Sequence, residues 1–298
     1  MPVIDVNIED FRELLGRDVD FDELRSKLPM MGVSWEGETE EGFSIEVFPN
    51  RPDLLSIEGL VRAYGSWIGY RTGLREYIVH RSDYHVTVDE KTEDVRPYFV
   101  TAVIKNVDFD DALIRSLIQT QEKLHITHGR KRRKVAIGIH DLSPVEFPVT
   151  YTTKPGDFKF QPLDEKEDKT VDWMLNEMKK GVEYAWILEG HDEYPMILDK
   201  KGMVLSMPPI INGEYTRVNE FSAELFVDIT GTDLKAIQEV LNIICTLFAD
   251  RGSEIYEVHN KYPDGTTLTT PNLKPWEMEL DNRYLILNHG RWSWIIGI

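Results

Sequence analysis

Apolar residues recur along this chain at two spacings, every second position or every third and fourth, and each change of spacing marks a change of element. Near the start, Asn7 stands where it can cap a short helix that Gly16 ends. Asp20–Leu28 has the pattern of a second helix, stopped by Pro29, and Gly42–Phe48 that of a strand. Ser56 can cap a third helix, in which Ile57, Leu60, Val61, Tyr64 and Ile68 share a face. Extended stretches around Tyr77–Val79 and Tyr84–Val88 lead onward.

Strand and helix patterns then interleave. Phe99–Ile104, Val135–Ile139, Tyr184–Leu188, Met196–Leu198 and Leu225–Ile229 read as strands; Asp111–Leu124, Val171–Lys180 and Asp233–Phe248 read as helices. The last of these sets Leu234, Ile237, Leu241, Ile244 and Phe248 on its buried face, with Thr232 as candidate cap. PDGTTLTTPNLKP is turn-rich, and the chain closes on NHGRWSWIIGI, which reads as an interface piece lacking its partner or as a non-native end. The expected fold class is α+β (mixed α/β). A small N-terminal α/β domain is expected at residues 1–90, a larger mixed-sheet domain at 91–260, and the start of a further, truncated domain with an atypical tail at 261–298.

Composition narrows the classes. A chain of 298 residues, 41% apolar and 29% charged, can bury a sizeable core. No apolar run approaches the roughly 20 residues that span a bilayer, so no membrane partner is expected. The N-terminal MPVIDVNIEDF has neither a basic region nor an apolar signal stretch, and the single Cys245 sits in an apolar helical pattern, so a reducing cytoplasm is the expected location. The net charge of −18 argues against a long phosphate-gripping surface and leaves room for a local contact.

Most enzyme signatures are absent: there is no P-loop, no GxGxxG after a strand, no GxSxG and no HExxH. His125 and His128 are the one histidine pair at short spacing, without the acids or cysteines of a metal site, and no metal is expected. Gly129–Lys134 (GRKRRK) reads either as a solvated loop or as a phosphate contact. His140-Asp141 reads first as a hydrogen-bonded turn at a strand end and second as catalytic. In Asn50-Arg51-Pro52-Asp53 a turn fixed by Arg51 and Asp53 is favoured over an anion site.

The densest chemistry lies in Leu205–Asp233, LSMPPIINGEYTRVNEFSAELFVDITGTD. Ser206 precedes Pro208-Pro209, which cannot continue a helix, and Asn212-Gly213 is a turn signal because both residues tolerate positive φ. Asp228 and Thr230, two apart on a strand, project from one face. They can line a polar pocket, or merely cap the helix at Asp233.

NRPDLLSIEGLVRAYG, GRKRRKVAIGIHDL, VLSMPPIINGEYTRV and LFVDITGTD occur in that order. This series resembles the β subunit of phenylalanyl-tRNA synthetase of the archaeal and eukaryotic type, over nearly all of residues 1–280, with SMPPIIN and DITGTD the most specific parts. The family's β subunit continues further, so the resemblance implies an N-terminal fragment; the tail after Asp281 departs from the pattern. It implies that the second region is an editing domain that hydrolyses tyrosine wrongly attached to the phenylalanine tRNA. An apolar synthetic pocket rejects an analogue that only adds a hydroxyl by about a hundredfold, so a second site must bind that hydroxyl. Matching positions imply Ser206, Asp228 and Thr230 as the catalytic set and Ile197 as a pocket wall, with Asn212, Glu214 and Thr216 completing the rim. Arg130, Lys131, Arg132, Arg133 and Lys134 become tRNA contacts. The partners implied are tRNA(Phe) and a synthetase α subunit, two of each subunit assembling together. ATP and Mg2+ are implied for the full synthetase, and no cofactor for the fragment. The readings left open beside the hydrolase are a non-catalytic module that assembles the synthetase and positions tRNA, and a standalone deacylase acting in trans.

Overall fold

The computed structural model describes residues 1–274. The expectations for the tail after Asp281 lie outside the described residues.

β1 (Val3–Asn7) runs into α1 (Ile8–Leu15), and α2 (Phe21–Lys27) precedes the hairpin of β2 (Val33–Glu38) and β3 (Gly42–Val47). α3 (Ile57–Trp67) completes this first unit, a three-stranded antiparallel sheet in the order β1-β3-β2. Local chemistry sets its ends. Asn7 accepts from the amides of Glu9 and Asp10, Gly16 takes φ 74° beyond α1, and Ser56 accepts from Gly59 N. Arg51 grips Asp53 through Nε and Nη2, at 2.8 and 2.7 Å, which makes the Asn50–Asp53 turn structural.

β4 (Val79–His80), β5 (His85–Val88), β6 (Tyr98–Lys105), α4 (Asp111–Ile126), β7 (Val135–Asp141) and β8 (Val149–Pro155) follow. Then come β9 (Lys159–Phe160), β10 (Lys169–Thr170), α5 (Val171–Glu177), α6 (Lys179–Tyr184), β11 (Glu193–Leu198), β12 (Val204–Met207) and β13 (Ile211–Asn212). β14 (Leu225–Gly231), α7 (Leu234–Asp250), β15 (Glu254–Tyr256), β16 (Val258–Lys261) and β17 (Thr267–Thr270) complete the described chain. Mixed helices and mixed sheets place it in the α+β class.

Two sheets carry the site. One has the order β4-β15-β6-β14-β7, the other β13-β12-β11-β8-β5-β16-β17, and β17 therefore continues the second sheet beyond residue 261. β14 explains how they stack. Leu225, Val227 and Ile229 point into a core shared with α7, α4 and the first unit, whereas Phe226 packs with Tyr151, Ile197 and Leu205 between the two sheets. Asp228 and Thr230 lie in the register of Phe226, so they face the inter-sheet layer. Nine side chains of α7 are buried, each worth about 1.5–3 kcal/mol of apolar transfer when large, which anchors the sheet from behind.

Several expectations need correction. Tyr184–Leu188 is the end of α6 and a 3-10 turn over Ala185–Ile187, not a strand; the short apolar run lacks a partner strand, and Trp186 stays 47% exposed. Val171–Lys180 is two helices, because Met178 is extended and Gly181 lets α6 close on Met174 O, 1.7 Å from where a Cβ would stand. Asp233 caps α7 by accepting from Ala236 N; Thr232 comes one residue too early. Gly213 has φ −80°, so it is needed for close approach and not for a left-handed turn: a Cβ there would meet Val204 O at 2.4 Å.

Candidate active site

β14 lies between β6 and β7, and its pairing with β7 sets Phe226 opposite His140, Asp228 opposite Gly138 and Thr230 opposite Ala136. Cross-strand neighbours on one face lie about 4.5–5.5 Å apart, so these six residues form one patch. Gly138 makes it possible. A Cβ there would stand 2.0 Å from Asp228 Oδ2 and 2.9 Å from His140 Nε2. The carboxylate occupies the space that a side chain would fill.

Asp228, 1% exposed, is held by His140, which is fully buried: Nε2 and Oδ2 are 2.7 Å apart. His140 Nδ1 meets Thr216 Oγ1 at 2.7 Å. An ionised Asp228 requires the imidazole proton on Nε2, and the Thr216 hydroxyl can then donate to Nδ1. His140 is thus a paired strand residue and not a turn, correcting the first reading of His140-Asp141. Asp141 keeps the turn role, accepting from Ser143 N and Ser143 Oγ at 2.8 and 2.5 Å. Nor do Asp228 and Thr230 cap α7.

Thr230 is organised by Arg96, which is 1% exposed. Arg96 Nε donates to Thr230 Oγ1 at 2.8 Å and Nη2 to Thr230 O at 2.7 Å. With its lone pair engaged by a cation, the Thr230 hydroxyl is left to donate its proton. Arg96 also donates to Arg133 O and Arg132 O, tying the basic loop to the strand. Burial lowers its pKa to about 10, so it remains a cation at neutral pH.

β12 brings the last hydroxyl. Ser206 is 3% exposed, and its Oγ has no hydrogen-bond partner among the described residues. Ser206, Asn212, Asp228, Thr230, Arg132 and Gly138 share the lining of one cavity of about 100 Å³. Asn212 Nδ2 donates to Ile139 O on the free edge of β7. An acceptor fixed by an imidazole and two hydroxyls free to donate face a common space. Such a set can bind a hydroxyl at one point and polarise a carbonyl at another.

The other expected site residues sit elsewhere. Ile197 is buried opposite Ser206 in the β11–β12 ladder and packs in the inter-sheet layer without lining the cavity. Thr216 is buried against His140 and not on a rim. Glu214 is engaged with Arg217 and Asp164 N. Arg130, Lys131 and Arg133 are exposed, Lys134 pairs with Asp233 at 3.1 Å, and only Arg132 turns inward. His125 accepts from Ile137 N, and burial together with the Arg132, Arg96 and Lys180 charges lowers its pKa to about 3, so it is neutral and structural. A larger cavity, about 320 Å³, lies between α3 and residues 71–75. Arg62 and Arg75 pair there with Asp250, and Arg71 is tied to Leu14 O and Leu15 O.

Arg96 and Gly138 stand outside the expected site set, and His140 enters it only through the second reading of His140-Asp141. For Gly138 and His140 the signal was present, since the alternation Ala136, Gly138, His140 gives one face, and a glycine inside a strand marks close approach. Arg96 carries no local signal.

No family model matches the chain. It is 44% identical over 281 residues to the phenylalanine–tRNA ligase β subunit of Archaeoglobus fulgidus, covering 94% of this chain and 51% of that protein. It is 43% identical over 275 residues to the same subunit of Methanococcoides burtonii, covering 92% and 50%. The chain spans about half the length of the curated relatives it matches. Among solved structures, an N-terminal fragment of the phenylalanyl-tRNA synthetase β subunit from Pyrococcus horikoshii superposes with a TM-score of 0.90 at 36% identity, covering 96% of this chain and 86% of that one. Its sequence, its fold and these relatives agree: the chain belongs to the phenylalanine–tRNA ligase β-subunit family.

Proposed function

We propose that the inter-sheet cavity hydrolyses the ester that joins tyrosine to a wrongly charged tRNA(Phe). The observation that carries this reading is the buried Asp228–His140 pair beside the unpartnered Ser206 hydroxyl. Asp228, held by His140, accepts the phenolic O–H. Phenylalanine would leave that buried acceptor unpaired, at a cost of about 1–3 kcal/mol or more for a charged group. The Ser206 and Thr230 hydroxyls donate to the ester carbonyl oxygen as it gains negative charge. Water attacks the carbonyl carbon, the bond to the ribose oxygen breaks, that oxygen takes a proton and tyrosine leaves. An activated ester in a preorganised site needs no covalent nucleophile. Among the described residues no group of three or more His, Cys, Asp or Glu is placed to hold a metal ion.

In the same proposal the chain works as part of a cytoplasmic synthetase with an α subunit, two copies of each, which supplies ATP- and Mg2+-dependent attachment of phenylalanine. Among the described residues no helix is long and apolar enough to cross a membrane. One observation favours a second reading, a non-catalytic module that positions tRNA: the cavity, about 100 Å³, is smaller than the roughly 300 Å³ at which ligand pockets begin. Deacylation of Tyr-tRNA by the purified protein separates the two. The hydrolase reading requires ester loss that Asp228→Ala abolishes; an ester left intact by both proteins leaves the positioning module.

A further inference from the structure

The basic loop is not one surface. Arg130, Lys131 and Arg132 have φ of 49°, 54° and 68°, three successive left-handed residues without a glycine. Each costs about 1–2 kcal/mol, so the run persists only because it is held. Arg96 holds it through the carbonyls of Arg132 and Arg133, and Lys134 N bonds back to Gly129 O at 2.8 Å. The outcome is that the Arg132 side chain turns into the cavity while its neighbours remain outside.

There Arg132 is fixed but not neutralised. Nη1 donates to Pro209 O and Ile210 O, at 3.0 and 3.1 Å, and the guanidinium lies 4.6 Å from the centroid of the Tyr184 ring. Its Nε–H is buried and has no acceptor among the described residues. No carboxylate forms an ion pair with it among the described residues. With Nη1 engaged, the Nε–Nη2 edge keeps its hydrogen-bonding capacity, and it is the edge that meets two oxygens of one anion. Glu183 and Glu122 act on it only from beyond ion-pair distance, and a largely buried cation without a direct partner is destabilising on its own. Burial lowers its pKa, and neutral His125 beside it adds no negative charge.

We propose that Arg132 is an anion seat within the hydrolytic cavity, and that it takes the phosphate of the nucleotide whose ribose carries the ester. The assignment rests on the hydrolytic reading for the identity of the ligand. An aminoacyl ester has no free carboxylate, so its nearest anion is the phosphate on the far side of the ribose. The two charged walls then divide the substrate: Asp228 meets the amino-acid end, and Arg132 the nucleotide end.

The test uses 3′-deoxy-3′-(tyrosylamino)adenosine, a non-hydrolysable analogue, with and without a 5′-phosphate, titrated calorimetrically into the full chain at low salt. The phosphorylated probe is expected to bind about tenfold or more tighter, as one charge-assisted bidentate contact gives. Arg132→Met should erase that difference, so that the two probes bind alike. Arg132→Lys, which keeps the charge but lacks the fork, guards against misfolding and should retain only part of the difference, lost further with salt. Equal binding of both probes by the unaltered protein, no binding of either, or a difference that survives in Arg132→Met overturns the proposal. If free tyrosine alone loses affinity in Arg132→Met, the seat is for a carboxylate and the phosphate assignment falls. Hydrolysis of Tyr-tRNA without any phosphate preference would remove the seat and leave the hydrolytic reading standing. A phosphate preference in a protein that spares Tyr-tRNA would do the reverse.

Discussion

Gly138→Ala tests the site through a single methyl group. The added Cβ would stand 2.0 Å from Asp228 Oδ2 and 2.8 Å from its Cγ, whereas ordinary contact begins near 3.4 Å. The carboxylate must retreat by about 1.4 Å to reach that contact. It cannot retreat towards His140, whose Nε2 is itself 2.9 Å from the new atom, so the 2.7 Å bond between them breaks. Losing a hydrogen bond to a buried charged group costs about 1.5–3 kcal/mol, and overpacking adds about 1–3 kcal/mol. Thermal unfolding followed by circular dichroism should show a fall of about 5–24 °C, taking about 2–4 °C per kcal/mol. A displacement of this size should also slow ester hydrolysis by about a hundredfold under single turnover. Both effects must appear together. A Gly138→Ala protein with an unchanged melting temperature and full hydrolysis would show that Asp228 is not confined as described.

Other perturbations separate the remaining parts. Thr230→Val keeps the shape and removes the hydroxyl; single-turnover deacylation should fall by about 10²- to 10³-fold, with Thr230→Ser recovering most of it. Arg96→Met removes the tie on the left-handed loop, so limited trypsinolysis should cut within Arg130–Lys134 at least about tenfold faster, a rate that unaltered loop geometry would leave unchanged. His125 has a folded pKa of about 3 against an ordinary 6.5, so the unfolded chain binds the proton first on acidification. Its contribution to stability is complete above about pH 6.5 and declines below it by up to about 1.4 kcal/mol per pH unit, towards pH 3. Urea midpoints measured between pH 7 and 4 should show this decline, and His125→Gln should flatten it.

Much of the layout is written in local chemistry. The caps at Asn7 and Ser56, the end at Gly16 and the strand faces of Asp228 and Thr230 follow from neighbours within four residues, where side-chain type and spacing act directly. The errors come from longer range. Tyr184–Leu188 is apolar enough for a strand, but only a partner strand could make it one, and none lies beside it. Gly213 reads as a turn glycine until β12 is seen to run against its Cα. The site divides the same way. Asp228, Thr230 and Ser206 stand out as polar residues in apolar strands, and the alternation of Gly138 and His140 gives their shared face, whereas the pairing of His140 with Asp228 comes from the β7–β14 register. Arg96 lies 134 residues from Thr230, and no pattern around it announces that contact. Arg132 shares its charge with its neighbours and differs only in direction, which the backbone alone decides.

The central claim is that this cavity distinguishes a tyrosyl from a phenylalanyl ester and cleaves the first. Single-turnover deacylation of Tyr-tRNA(Phe) and Phe-tRNA(Phe), by the unaltered protein and by Asp228→Ala, measures it directly. Tyrosyl ester should be lost far above its spontaneous rate and about ten- to a hundredfold faster than the phenylalanyl ester, with Asp228→Ala abolishing both the rate and the preference. Spontaneous rates for both esters, or an Asp228→Ala protein that cleaves like the unaltered one, would contradict the account.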